Sequence, residues 1–151
     1  MSSLIDRFNE EKALPRRERL VAVARWFLGT PYELGAKGAQ ALNGVHFVSA
    51  VVPTDCSGFA CAVYNEVLPE ANLDPKVLGT SGLMTSALFE TVSSPRAGDL
   101  VFWVGHVAIV IDPNKKICIH APGKGKPVRY QDWTYMVLGP VAAFRSWIHL
   151  D

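Results

Sequence analysis

Three side chains in this chain have the types and the order that acyl-transfer chemistry uses. Cys56 stands between Asp55 and Ser57-Gly58-Phe59, His106 follows 50 residues later in Gly105-His106-Val107-Ala108-Ile109, and His120 comes 14 residues after that in Ile119-His120-Ala121. A thiol is a weak nucleophile until it loses its proton, and both a helix N-terminus and a neighbouring imidazolium favour the thiolate. Cys56 has the first if a helix starts there. His106 is the candidate for the second, taking the thiol proton as a base and returning it to the departing amine. His120 would orient His106. The backbone N–H of Cys56 and a side-chain donor such as the Tyr32 hydroxyl are the candidates for holding an oxyanion. The set points to an enzyme rather than to a binding module.

The elements around these residues are expected to position them. Pro15 through Leu28 reads as a helix, with Leu20, Val23, Ala24, Phe27 and Leu28 on one side and Gly29 ending it. Thr30 to Thr54 carries Pro31, Gly35, Gly38, Gly44 and Pro53 and reads as a long loop that shapes a binding site, with a strand or short hairpin over Val45–Val52. Asp55 is a good N-cap for a helix over Cys56–Leu68 whose buried face is Phe59, Ala60, Val63 and Val67, so that Cys56 faces inward. A short helix is expected near Leu83–Glu90. Extended runs follow at Leu100–Trp103, His106–Ile111, Lys116–His120, Val128–Tyr130 and Ala142–Ile148. Asp112-Pro-Asn-Lys-Lys is a turn, so the second and third of these form an antiparallel hairpin, with His106 and His120 facing each other at its open end. Helices first and a mostly antiparallel sheet of about five strands after them make an α+β fold.

A lone cysteine near a helix start is usually core, and a lone strand histidine is usually structural. Neither reading accounts for the ordered set of three. A metal site made of Cys56, His106 and His120 fits by ligand type, yet no short-spaced ligand pair anchors it.

Four segments, in order, resemble the NlpC/P60 family of papain-like cysteine peptidases. They are Gly29-Thr30-Pro31-Tyr32, Asp55-Cys56-Ser57-Gly58-Phe59, Ala97-Gly98-Asp99-Leu100-Val101-Phe102, and the pair of strands carrying His106 and His120; together they span about residues 20–122. The resemblance implies N-terminal helices on an antiparallel sheet, with Cys56 as nucleophile, His106 as base, His120 as the third polar member and Tyr32 near the oxyanion. Asp55, Ser57 and Trp103 are the expected neighbours of substrate, Asp55 also capping its helix and Trp103 lining the cleft beside His106. The implied activity is hydrolysis of peptidoglycan stem peptides at the bond between γ-D-glutamate and a diamino acid, without metal or cofactor. Two departures stand out: Glu33-Leu34-Gly35-Ala36 replaces the family's W-G-G element, and Ala108 and Val110 replace its usual Gly and Tyr. The same fold could instead serve a protein deamidase, an acyltransferase, or a non-catalytic cell-wall or phage-tail module.

Composition narrows the remaining classes. At 151 residues the chain is expected to be one domain, 1–151, large enough to bury its own core. Lys plus Arg number 15 against 14 for Asp plus Glu, so no general field attracts a polyanion and nucleic acid is not an expected partner. The three cysteines, an odd count without C-x-x-C spacing, argue against a disulfide framework and a structural zinc site. Helical geometry sets Cys61 about 140° around from Cys56, as a small buried hydrophobe. No apolar run spans a bilayer and no signal peptide is recognisable, so the protein is expected to be made in the cytoplasm. Action at the wall would then require delivery by a phage or a dedicated secretion system, and an immunity or inhibitor protein is a candidate partner. His46 and His149 read as surface or loop residues, and Lys124, Lys126 and Arg129 as a local basic patch able to attract a substrate carboxylate.

Overall fold

The structure, a computed structural model, describes residues 15–37, 53–68, 70–134, 137 and 139–151. The strand expected over Val45–Val52 and His46 lie outside them.

Helix α1 (Arg16–Trp26) starts after Pro15 and buries Leu20, Val23, Ala24 and Trp26. It ends before Gly29, whose φ of +90° is a left-handed conformation that suits glycine. Helix α2 (Cys56–Val67) starts at Asp55, whose carboxylate accepts the N–H of Gly58 at 2.8 Å. The expectation of one buried face was too narrow, because every residue from Ser57 to Val67 is buried. The sequence of α2 is apolar nearly all round, and α1, the sheet and the short helix α3 (Thr80–Thr85) pack on it from different sides. Its few polar groups have partners: Tyr64 Oη donates to the carbonyl of Gly98, and Asn65 holds both the N–H and the carbonyl of Leu73 at 2.6 and 2.8 Å.

The segment expected as a helix near Leu83–Glu90 is instead divided. Helix α3 ends at Thr85, and strand β1 (Phe89–Val92) follows. Two tertiary contacts outweigh local preference here. The Arg145 guanidinium donates to the carbonyls of Leu83, Met84, Ser86 and Phe89 at 2.6–3.0 Å, and the Phe89 ring inserts between Tyr64 and Trp147 with centroids 5.5 and 5.4 Å away.

Strands β2 (Leu100–Trp103), β3 (His106–Asp112), β4 (Ile117–His120), β5 (Arg129–Asp132) and β6 (Ala143–Trp147) complete an antiparallel sheet of six strands in the order β1-β6-β2-β3-β4-β5. The count exceeds the expected five by β1. Leu100, Phe102, Val107, Ile109 and Ile119 face the helices, whereas Val101, Trp103, Ala108, Val110 and Cys118 form a second core with Trp133. Burial on both faces is why β2 and β3 read as continuous apolar runs. The β3–β4 turn forms as expected, with Asp112 Oδ1 accepting the N–H groups of Asn114 and Lys115 at 3.0 and 3.1 Å. Arg17 of α1 ties the helices to the sheet, through Asp99 at 2.7 Å and Asp151 at 2.8 Å. Among the described residues no helix is long and apolar enough to cross a membrane.

Candidate active site

Cys56 occupies the first position of α2, half-buried, with its side chain against the main core. Its Sγ lies 3.4 Å from Thr80 Oγ1, a hydrogen bond that either partner can donate. The glycine two residues on is dictated by packing. A Cβ on Gly58 would come within 2.8 Å of both the Lys37 Cα and the Thr54 Oγ1, closer than real side chains approach. That contact lets the loop after Tyr32 fold back on the helix start: the N–H of Asp55 donates to the Ala36 carbonyl at 2.7 Å, and Thr54 bridges to both Tyr32 and Lys37.

Asp55 is committed to this junction. Its carboxylate accepts from the Gly58 N–H, from the Ser57 hydroxyl at 3.3 Å and from Lys37 Nζ at 2.6 Å. Lys37 Nζ also lies 3.4 Å from the buried Ser57 Oγ. Tyr32, held beside Thr54, has its hydroxyl pushed above the usual phenol range by partial burial and by the negative charges of Cys56, when ionised, and Asp55. A phenol that keeps its proton is a hydrogen-bond donor.

His106 Nε2 and His120 Nδ1 are 2.7 Å apart, their rings nearly perpendicular at 83°. The two do not face each other directly across the hairpin, as the turn alone had suggested. Pairing of Ile109 with Ile119 and of Val110 with Cys118 aligns His120 with Ala108, while His106 pairs with Trp103 on β2, so the imidazoles meet on the diagonal. His106 and His120 are 7% and 3% exposed. Burial disfavours the charged ring, bringing His106 down to about 4; at His120 burial, then His106, Arg129 and Lys126, bring it down to about 3. Trp103 stacks against His106 with centroids 5.5 Å apart, but it is fully buried in the second core. It backs the imidazole from within instead of lining an open cleft, because β2 has both faces covered.

The other titratable candidates lie apart. Cys61 and Cys118 are buried, and burial pushes both thiols up to about 12. His149 is exposed. Among the described residues no group of three or more His, Cys, Asp or Glu side chains is arranged to hold a metal ion. Sequence reasoning missed two residues here, Lys37 and Thr80. Both reach the helix start from other segments, 18 and 24 residues from their partners, and no periodicity or motif marks such contacts.

The description of the NlpC/P60 family matches residues 29–139. Among curated proteins none matches the chain. Among solved structures, the chain resembles the NlpC/p60 domain of the peptidoglycan hydrolase SagA, with 29% identity and a TM-score of 0.62 over 86% of this chain and 97% of that one. It also resembles NlpC2 from Trichomonas vaginalis, with 19% identity and a TM-score of 0.68 over 90% of this chain and 50% of that one. A similar-to-lipoprotein NLP/P60 protein of Staphylococcus aureus gives 23% identity and a TM-score of 0.64, over 89% of this chain and 42% of that one. The latter two likenesses concern the fold, and in both the chain spans half or less of the longer protein. The matched span takes in the Tyr32 turn, the Cys56 helix and both histidine strands, and the chain belongs to the NlpC/P60 family.

Proposed function

We propose that this protein is a cell-wall peptidase that hydrolyses an amide of the peptidoglycan stem peptide, at the bond between γ-D-glutamate and a diamino acid, through a Cys56 thiolate. Family membership and the likeness to a peptidoglycan hydrolase domain support the kind of function. The observation that carries the mechanism is the 2.7 Å bond between His106 Nε2 and His120 Nδ1.

That bond leaves Nδ1 as the ring nitrogen of His106 available to a thiol. With Nδ1 basic, Nε2 carries the proton and donates to His120 Nδ1, which fixes the tautomer and orientation of both rings. In the proposed reaction the Cys56 proton passes to His106 Nδ1 as Sγ attacks the acyl carbon. The carbonyl electrons move to oxygen, which the backbone N–H of Cys56 and the Tyr32 hydroxyl stabilise. Collapse of this intermediate expels the amine, which takes the proton from His106 and leaves a thioester on Sγ. Water then attacks the thioester, giving a proton to His106; collapse breaks the C–S bond, the Cys56 sulfur takes that proton back, and the peptide leaves as a carboxylic acid that ionises in solvent. Thr80 holds the resting sulfur at the mouth of the helix.

Incubation of the wild type and Cys56→Ala with defined muropeptides, followed by mass analysis, tests the reading. Release of the two stem-peptide fragments by the wild type alone is the expected result. Intact muropeptides would refute it, as would a one-dalton gain on a glutamine substrate, the mark of a deamidase.

A further inference from the structure

Helix α3 brings one side chain to the nucleophile, and so far that side chain has only held the resting sulfur. Thr80, the first residue of α3, is half-buried and sets Oγ1 3.4 Å from Cys56 Sγ. Among the described residues this is the hydrogen bond that the sulfur makes. Contacts on either side fix where Thr80 sits. Before it, the N–H of Leu78 donates to the Asp74 carbonyl at 2.8 Å; after it, the N–H of Leu83 donates to the Gly79 carbonyl at 3.0 Å and the Leu83 side chain enters the main core. Arg145 of β6 grips the carbonyls of Leu83 and Met84 at 3.0 and 2.6 Å. Branching at Cβ then limits the directions in which the hydroxyl can point.

A negative charge on this sulfur has few other groups to compensate it. Lys37, the cation beside the start of α2, is held at 2.6 Å by the Asp55 carboxylate. Tyr32 keeps its proton, and α3 carries no ionisable side chain over Thr80–Thr85. Burial brings His106 down to about 4, and its ring partner His120 is likewise neutral, so no standing imidazolium faces the sulfur at neutral pH. The N-terminus of α2 and the Thr80 hydroxyl remain. A hydroxyl can accept from a thiol or donate to a thiolate, and only the second bond is charge-assisted. Its presence therefore favours the ionised sulfur.

We infer that Thr80 is a further catalytic residue, whose hydroxyl donates to Cys56 Sγ as the thiol proton leaves and thereby stabilises and aims the thiolate. This role rests on Cys56 being the nucleophile of the proposed hydrolysis and not on which amide is cleaved. As the thiol proton passes to His106 Nδ1, the hydroxyl turns about its Cβ–O bond from accepting to donating. Its own proton stays on Oγ1 throughout, and when the C–S bond of the thioester breaks the same donor receives the sulfur again.

The rate of Cys56 alkylation by iodoacetamide, followed against pH, tests this without any peptide, since Cys61 and Cys118 are buried. Thr80→Val keeps the branched shape and removes the hydroxyl. Its profile should move up by about one pH unit relative to the wild type. On the acid side the thiolate fraction then falls about tenfold while the intrinsic nucleophilicity of the sulfur rises about threefold, so alkylation slows about threefold. At the alkaline plateau the same variant should react about threefold faster, and the two curves cross, which a general loosening of the site does not produce. Thr80→Ser should restore the wild-type curve, and Thr80→Ala, which adds no bulk, should repeat the shift. Superimposed wild-type and Thr80→Val profiles, a downward shift, or a Thr80→Ser curve that follows Thr80→Val would each overturn the role of the hydroxyl. Should the wild type cleave no muropeptide, the proposed hydrolysis fails, while the alkylation profiles still decide whether Thr80 serves the thiolate.

Discussion

The buried imidazole pair ties stability to pH in a window of its own. In the folded protein both rings are held neutral, His106 down at about 4 and His120 at about 3, whereas an unfolded histidine titrates near ~6.5. Between those values the unfolded chain binds more protons than the folded one. The stability conferred by the neutral pair is therefore fully present above about pH 6.5 and is lost as the pH falls toward 4. From pH 7 to pH 5 each ring costs about 2 kcal/mol and the pair about 4, a large part of the roughly 5–15 kcal/mol that holds an ordinary domain together. Hydrogen bonds from Thr134 hold Asp132 below the usual carboxylate range and Arg17 does the same for Asp151, so these two titrate at lower pH in the folded protein than an ordinary carboxylate. Equilibrium urea unfolding followed by tryptophan fluorescence at pH 7, 6 and 5 measures the effect. With a slope of roughly 2 kcal/mol per molar urea, the midpoint should fall by about 2 M across that range. His120→Asn removes one titrating ring and should about halve the fall. A midpoint flat from pH 7 to pH 5, or an equal fall in the His106→Asn/His120→Asn double variant, would refute the reasoning.

Gly58→Ala should destabilise the protein by about 1–3 kcal/mol, because the new methyl meets the Lys37 backbone and Thr54; a thermal midpoint equal to that of the wild type would contradict the packing argument. Arg145→Met strips the donor from four carbonyls at the end of α3 and the start of β1, and should lower the thermal midpoint by about 6–12 °C, the equivalent of about 3 kcal/mol. Iodoacetamide at neutral pH should modify the folded protein once, at Cys56, since burial holds the Cys61 and Cys118 thiols near 12; mass analysis should find three adducts after unfolding in urea. A second adduct on the folded protein would show that one of these interior thiols is open to reagent.

Local chemistry made much of this protein legible before any coordinates. Asp55 followed by an apolar run marks a capped helix because the cap bond to Gly58 is made within three residues. The β3–β4 hairpin follows from Asp112 and the turn residues after it, and the Cys, His and His order follows from motif spacing. What tertiary structure alone decided depends on partners distant in the chain. Phe89–Val92 became a strand because β6 and the Arg145 guanidinium were there to receive it. Trp103 became an interior support for His106 because both faces of β2 are covered. Lys37 and Thr80 joined the helix start through contacts that no local pattern encodes, and the diagonal meeting of the two imidazoles was set by strand register. Hydrogen bonds within a turn or a cap are selected by residues a few positions apart, whereas burial, register and charge pairing are settled only when distant segments exclude water together.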